Sequence, residues 1–173
     1  SHIRPMAVRK RIALIAHDNC KLDLLEWARY NRGTLAHHDL FATGTTGSLL
    51  AAELSLAVTR FRSGPHGGDQ QVGAAIVEGK IDFVIFFWDP LEPHPHDVDV
   101  KALLRIAVVY NIPLSCNRSS ADFMLSSPLM REPYRRRLCS LEGAPGQHSN
   151  PLLSLRQCLL QWDPVARAPG PLP

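Results

Sequence analysis

Short apolar runs alternate with amphipathic stretches through the first 127 residues, and most runs end in a cluster of glycine, threonine, histidine or aspartate. Ile12-Ala13-Leu14-Ile15-Ala16 contains no polar residue, as a strand covered on both faces would require. Lys21 to Asn31 follows with Leu24, Leu25 and Ala28 on one helical face, and Gly33 is a plausible stop. Leu40-Phe41-Ala42 predicts a second strand, Thr43 to Gly47 its loop, and Ser48 to Leu54 a short helix. A third strand is expected over Ala57 to Phe61, then a glycine-rich loop and a helix from Gln70 to Gly79. Phe83-Val84-Ile85-Phe86-Phe87 is the clearest strand, aromatic and β-branched throughout. Trp88 to Val98 predicts a proline-rich loop, Lys101 to Tyr110 a helix, Pro113 to Cys116 a last strand and Ser120 to Ser126 a last helix.

Five strand-loop-helix units predict an α/β fold, a three-layer α/β/α arrangement around a five-stranded parallel sheet. After Pro128 the pattern dissolves: residues 131–173 carry 7 of the 14 prolines, with one possible helix at Leu152 to Trp162. The expected division is a catalytic domain over residues 9–128 and an irregular Pro/Arg-rich extension over 129–173. That extension is read as loosely packed or reaching a neighbouring subunit. Ser1 to Met6 reads partly as an expression remnant and is set aside.

The chain of 173 residues is long enough for one substantial core. Its 45% hydrophobic content includes no apolar run near membrane-spanning length, so a soluble protein is expected. With no secretory leader visible, the expected location is the cytoplasm. Cys20, Cys116, Cys139 and Cys158 are scattered without a C-x-x-C pair, and are read as reduced thiols. The +3 net charge lies wholly in the tail, because residues 1–130 hold 13 basic and 13 acidic side chains. No basic face interleaved with aromatics appears, so nucleic acid is not an expected partner. Arg135-Arg136-Arg137 is expected to be solvated or paired with an acidic neighbour.

Ligands of parallel sheets bind outside the carboxyl ends of the strands, and there this chain concentrates its polar residues. In Ser63-Gly64-Pro65-His66-Gly67-Gly68-Asp69-Gln70-Gln71-Val72-Gly73-Ala74, four glycines surround one carboxylate just before a helix. Close backbone approach and a helix N-terminus suit an anion, and Asp69 is aimed at whatever the loop holds. An acidic N-cap with ordinary loop glycines is the alternative. Thr43-Gly44-Thr45-Thr46-Gly47 supplies hydroxyls and amides for phosphate oxygens, or simply helix caps. Lys21 can reach the same edge as a point charge, or remain a solvated lysine.

His94-Pro95-His96-Asp97-Val98-Asp99 invites two readings, a metal site with His17 or acid-base work with Asp99 orienting an imidazole. Asp18, Asp69, Asp89 and Asp99 are expected to lie near one another. Such clustering would raise carboxylate pKa values by roughly a unit or more, from an unperturbed value of about 3.9 that makes a feeble base. Asp89, in Trp88-Asp89-Pro90, is as readily a turn cap as a contact to substrate.

Five blocks together resemble methylglyoxal synthase: His17-Asp18-Asn19-Cys20-Lys21, Ala42-Thr43-Gly44-Thr45-Thr46-Gly47, Ser63 to Gly73, Phe86-Phe87-Trp88-Asp89-Pro90 and Pro95 to Arg105. Asn111-Ile112-Pro113 and Ser120-Ala121-Asp122-Phe123 extend the resemblance, which covers about residues 9–128 in family order. It implies conversion of dihydroxyacetone phosphate to methylglyoxal and inorganic phosphate without metal or cofactor. A homohexamer is implied too, with inorganic phosphate as product and possible allosteric inhibitor. By position, Asp69 corresponds to the catalytic base and His96 to the residue facing the substrate oxygens, with Asp99 and Asp18 in support. His17, Lys21, Thr43, Thr45, Thr46, Ser63 and Gly64 correspond to substrate- and phosphate-contacting positions, and Asp89 is counted with them.

The family's Tyr-containing ending with basic residues is not recognisable in residues 131–173. Two other classes stay in view. The fold also resembles the allosteric domain of carbamoyl-phosphate synthetase, a module that binds phosphorylated effectors and would need the cradle without Asp69 and His96. A metal-dependent hydrolase would use His17, His94 and His96.

Overall fold

The computed structural model describes residues 3–93 and 97–138. Five parallel strands form the central sheet: β2 (Arg11–Ala16), β3 (Asp39–Thr43), β4 (Val58–Phe61), β5 (Phe83–Phe87) and β6 (Leu114–Ser115). Their spatial order is β4-β3-β2-β5-β6, so the chain builds outward from β2 in one direction and then returns to build on its other side. The reversal falls between β2 and β5, where Ile12 pairs with Phe83 and Ala16 with Phe87. A parallel sheet with such a switch leaves a crevice at its carboxyl edge.

Side-chain alternation along these strands builds two cores. Ile12, Leu14, Ile85 and Phe87 face one layer, which contains α1 (Lys21–Tyr30), α3 (Gly44–Leu54) and α6 (Arg118–Ser126). Ala13, Ile15, Val84 and Phe86 face the other, under α4 (Gly68–Val77) and α5 (Asp97–Val109). A one-residue slip would exchange the two sets, so burial on both faces fixes the register. Trp27 is buried in the first core, and its Nε1 donates to Asp122 at 2.8 Å, which ties α1 to α6. A single turn, α2 (Arg32–Leu35), follows α1.

Several element boundaries differ from expectation. Helix α3 begins at Gly44, so the Thr-Gly cluster is the first turn of a helix and not a free loop. Helix α5 begins at Asp97, four residues before the expected Lys101. The pattern does not end at Pro128 either: β1 (Ile3–Met6) pairs antiparallel with β7 (Tyr134–Arg137) in a two-stranded ribbon. Within it Arg136 is buried, between exposed Arg135 and Arg137, so of the cluster expected to be solvated or paired with an acidic neighbour its middle member is withdrawn from solvent, with Asp82 nearby. Burial pushes its guanidinium down, with Asp82 opposing, and its Nε and Nη1 have no hydrogen-bond partner among the described residues. Cys20 and Cys116 are unbridged, and burial pushes both thiols up. Cys139, Cys158 and the expected helix at 152–162 lie outside the described residues. Among the described residues, no helix is long and apolar enough to cross a membrane.

The amino end of the sheet is closed by satisfied polar groups. Asp82 is buried and accepts from Arg11 N at 3.0 Å, Nε at 2.9 Å and Nη2 at 2.8 Å. Lys10 is fully buried and donates from Nζ to Ala7 O and Glu132 O, each at 2.6 Å. Its backbone N–H donates to His38 Nδ1 at 3.0 Å, so a neutral His38 carries its proton on Nε2.

Burial, followed by the nearby Lys10 charge, pushes the His38 pKa below its ordinary value. The unfolded chain therefore binds that proton more readily. Stability from a neutral His38 is present above the unfolded value of about 6.5 and is lost as the pH falls through the lower folded value. Denaturant titrations between neutral pH and about pH 5 are expected to show this loss, and to show less of it in His38→Gln. Equal acid sensitivity in the two proteins would contradict it.

Candidate active site

The carboxyl edge of the sheet stays open. A cavity of about 340 Å³ lies there, lined by Ile15, Ala16, His17, Asp18, Lys21, Thr43, Thr45, Thr46, Ser63, Gly64, Pro65, His66 and Asp69. Its wall is built from the first turns of α1, α3 and α4 together with the segments that follow β2, β3 and β4. N–H groups in the first turn of a helix lack intrahelical acceptors, so three such turns surround the cavity with donors and positive dipole ends.

Two glycines make this convergence possible. A Cβ on Gly44 would stand 2.7 Å from Ser63 Cα and 2.8 Å from Ser63 N, closer than atoms can pack. A Cβ on Gly68 would stand 2.1 Å from Arg62 O. With both side chains absent, Gly44 N donates to Arg62 O at 3.2 Å and Gly68 N to Ser63 O at 2.9 Å. The backbones after β3 and β4 are thus locked together. Gln71 Oε1 reinforces the turn by accepting from Arg62 N at 2.7 Å.

Asp69 is 2% exposed in the first turn of α4 and contributes to the cavity wall. On the opposite side of the switch, His17 N donates to Phe87 O at 3.1 Å, which stitches the ends of β2 and β5 together. Asp89 N donates to His17 Nδ1 at 3.1 Å, so a neutral His17 carries its proton on Nε2. The ring packs edge-on against Phe86, with centroids 5.0 Å apart, and is buried. Lys21 forms an ion pair with Asp18 one helical turn away, its side chain mostly buried while that of Asp18 is in solvent.

Of the residues expected from the sequence, His17, Asp18, Lys21, Thr43, Thr45, Thr46, Ser63, Gly64 and Asp69 line this one cavity. Asp89 and Asp99 are not among its lining residues. Asp89 folds back into its own turn, accepting from Leu91 N at 3.0 Å and from Asn19 Nδ2 at 2.8 Å. Asp99, in the first turn of α5, accepts from Gln70 Nε2 at 3.0 Å and so links α5 to α4. Of the four carboxylates expected near one another, Asp18 and Asp69 line the cavity, while Asp89 is bonded to the neighbour of Asp18 and Asp99 to the neighbour of Asp69. His94 and His96 lie outside the described residues. Among the described residues, no three His, Cys, Asp or Glu side chains are grouped to hold a metal ion.

One ionisable wall residue, His66, was not singled out from sequence. His66 ends a 3₁₀ turn, Gly64–His66, and its Nδ1 lies 2.7 Å from Ser63 Oγ. The available signal was the three-residue spacing from Ser63 across Pro65, inside a loop already expected to hold an anion.

Comparison with known proteins is consistent over most of the chain. A family model described as MGS-like domain matches residues 23–116. A methylglyoxal synthase of Cellvibrio japonicus is 60% identical over 132 residues, spanning 76% of this chain and 86% of that protein. One from Proteus mirabilis is 56% identical over 140 residues, spanning 81% and 92% respectively. The crystal structure of methylglyoxal synthase from Elizabethkingia anophelis superposes with a TM-score of 0.79 at 48% identity, covering 86% of this chain and 98% of that one. With its fold and its sequence in agreement, the chain belongs to the methylglyoxal synthase family of enzymes.

Proposed function

We propose that the chain is a lyase that converts dihydroxyacetone phosphate into methylglyoxal and inorganic phosphate, with no metal or organic cofactor. The observation that carries this reading is the buried Asp69 carboxylate, which shares one cavity with the hydroxyls and amides of Thr43, Thr45, Thr46, Ser63 and Gly64. A base beside an anion cradle is what the reaction needs, and a binding module has no use for the base. The relatives are named for the same product, methylglyoxal.

In this reading the phosphate group sits among the first turns of α1, α3 and α4, where helix dipoles and backbone N–H groups favour a dianion. Lys21, held by Asp18, adds a point charge. Asp69 removes a proton from the hydroxymethyl carbon beside the ketone, and the electron pair enters an enediolate. His96 donates to the developing oxyanion, and Asp99 steadies the start of α5 that follows it. His17 offers Nε2–H as a second donor, because its Nδ1 already accepts from the Asp89 backbone. Asp89 acts through this contact.

The enediolate has two fates, and geometry selects between them. A C–O bond to phosphate held in the enediolate plane cannot overlap with the π system, and proton return then gives an isomer. Held out of the plane, the same bond breaks. Electrons flow from the enediolate oxygen through the carbon–carbon double bond, and phosphate leaves with the bonding pair. The remaining enol takes a proton at the former phosphate-bearing carbon and becomes methylglyoxal. The cradle fixes the out-of-plane rotation and stabilises the leaving group, interactions that strengthen as charge moves onto phosphate.

Incubation with dihydroxyacetone phosphate, with and without chelator, is expected to yield methylglyoxal and phosphate in equal amounts at the same rate. Asp69→Asn is expected to abolish turnover while inorganic phosphate still binds. Normal turnover in that variant would remove Asp69 from its role, and loss of activity with chelator would reject the metal-free reaction. Thr45→Ala is expected to weaken phosphate binding by about tenfold, the size of one hydrogen bond to a charged group. Unchanged affinity, measured by calorimetry, would reject Thr45 as part of the cradle.

A further inference from the structure

His66 lies in the wall of the cavity, yet the chemistry above makes no use of it. Its position is built by the backbone. His66 N donates to Ser63 O at 3.0 Å and Gly67 N to Gly64 O at 3.0 Å, while Pro65 restricts the turn between them. This brings Nδ1 within 2.7 Å of Ser63 Oγ, a short hydrogen bond whose direction depends on where the protons are. The His66 side chain is exposed, whereas Ser63 is half-buried in the wall.

A hydroxyl has one proton to give. When Nδ1 carries only its lone pair, Ser63 donates to the imidazole and turns oxygen lone pairs toward the cavity, which repels an anion. When Nδ1 carries a proton, Ser63 accepts from it and its own hydrogen is released to donate to an anion oxygen. Protonation also adds a positive charge beside the cavity.

We propose that His66 is a positioning residue for the phosphate group: protonated at Nδ1, it turns the Ser63 hydroxyl into a donor and tightens anion binding. The proposal rests on the reading of this cavity as a phosphate-ester site. Binding and protonation are then linked, so the bound anion draws a proton onto His66 by the same factor that the proton tightens binding. Among the described residues, the other ionisable groups of the wall are Asp69 on α4, Lys21 on α1, and His17 and Asp18 in the segment after β2. A comparison between variants cancels their contributions. His66 acts through Ser63, so its effect is read directly in anion binding.

The test uses inorganic sulfate, whose charge stays constant where histidine titrates, between about pH 5 and 8. Calorimetric Kd values at constant ionic strength are compared for the unsubstituted protein, His66→Leu and His66→Asn. The expected result is an advantage of about tenfold over His66→Leu at the acid end, the size of one added bond to an anion, shrinking toward none at the alkaline end. His66→Asn, which can donate to Ser63 at every pH, should recover affinity and lose this pH dependence. A gap between the unsubstituted protein and His66→Leu that is the same at every pH overturns the proposal. So does a pH-dependent gap that persists when both proteins also carry Ser63→Ala, and so does absence of sulfate binding. Because binding is measured without turnover, proton-linked binding in a protein that forms no methylglyoxal would reject the lyase reading and leave this inference standing.

Discussion

The site depends on how closely two pieces of backbone approach each other. Gly44 and Gly68 bring the segments after β3 and β4 into direct contact, with distances that leave no room for a Cβ at either position. That contact sets the first turns of α3 and α4 side by side, and with them Thr45, Thr46, Ser63 and Asp69 around one cavity. Close approach of backbone N–H groups is how a neutral scaffold binds an anion. Here the same approach delivers the buried Asp69 carboxylate to the wall of the cavity. The parallel sheet supplies the rest, because its register places the ends of β2 and β5 level with that contact.

The two ends of the sheet carry opposite chemistry. At the amino end, Asp82 and Lys10 are buried and their hydrogen bonds are closed within the protein. Arg136 is the exception there, buried with two nitrogens that have no partner among the described residues. At the carboxyl end, polar groups face a cavity wide enough for a small phosphate ester. Interior polar groups left without partners are costly, so a network closed within the protein marks structure. His17 serves both the sheet and the cavity. Its Nδ1 completes the stitch between β2 and β5, and its other nitrogen belongs to a ring that lines the cavity.

The strands were legible because burial on both faces demands apolar runs, and Ile12 to Ala16 and Phe83 to Phe87 are such runs. The convergence of His17, Thr45, Ser63 and Asp69 was legible because parallel topology sends every strand-to-helix segment to one edge. The start of α3 was not. Glycine and threonine are weak helix formers, and the packing of Gly44 against Ser63 overrides their preference. The ribbon of β1 and β7 joins residues more than a hundred positions apart, and no local periodicity announces such a pairing. Arg136 reads as solvent-facing from its neighbours, and only the alternation of that ribbon turns it inward. His66 was hidden by its company, a single ring among glycines whose partner is set by the turn.

The central claim is a choice of reaction: abstraction at the hydroxymethyl carbon followed by elimination of phosphate. Proton NMR of the reaction with dihydroxyacetone phosphate in deuterium oxide tests it most directly. The account predicts methylglyoxal whose methyl group has gained one deuterium and whose aldehyde hydrogen comes from the substrate, with phosphate released in step. Dihydroxyacetone appearing with the phosphate would mean hydrolysis, and bound substrate left unchanged would mean a binding module. Either result would contradict the account.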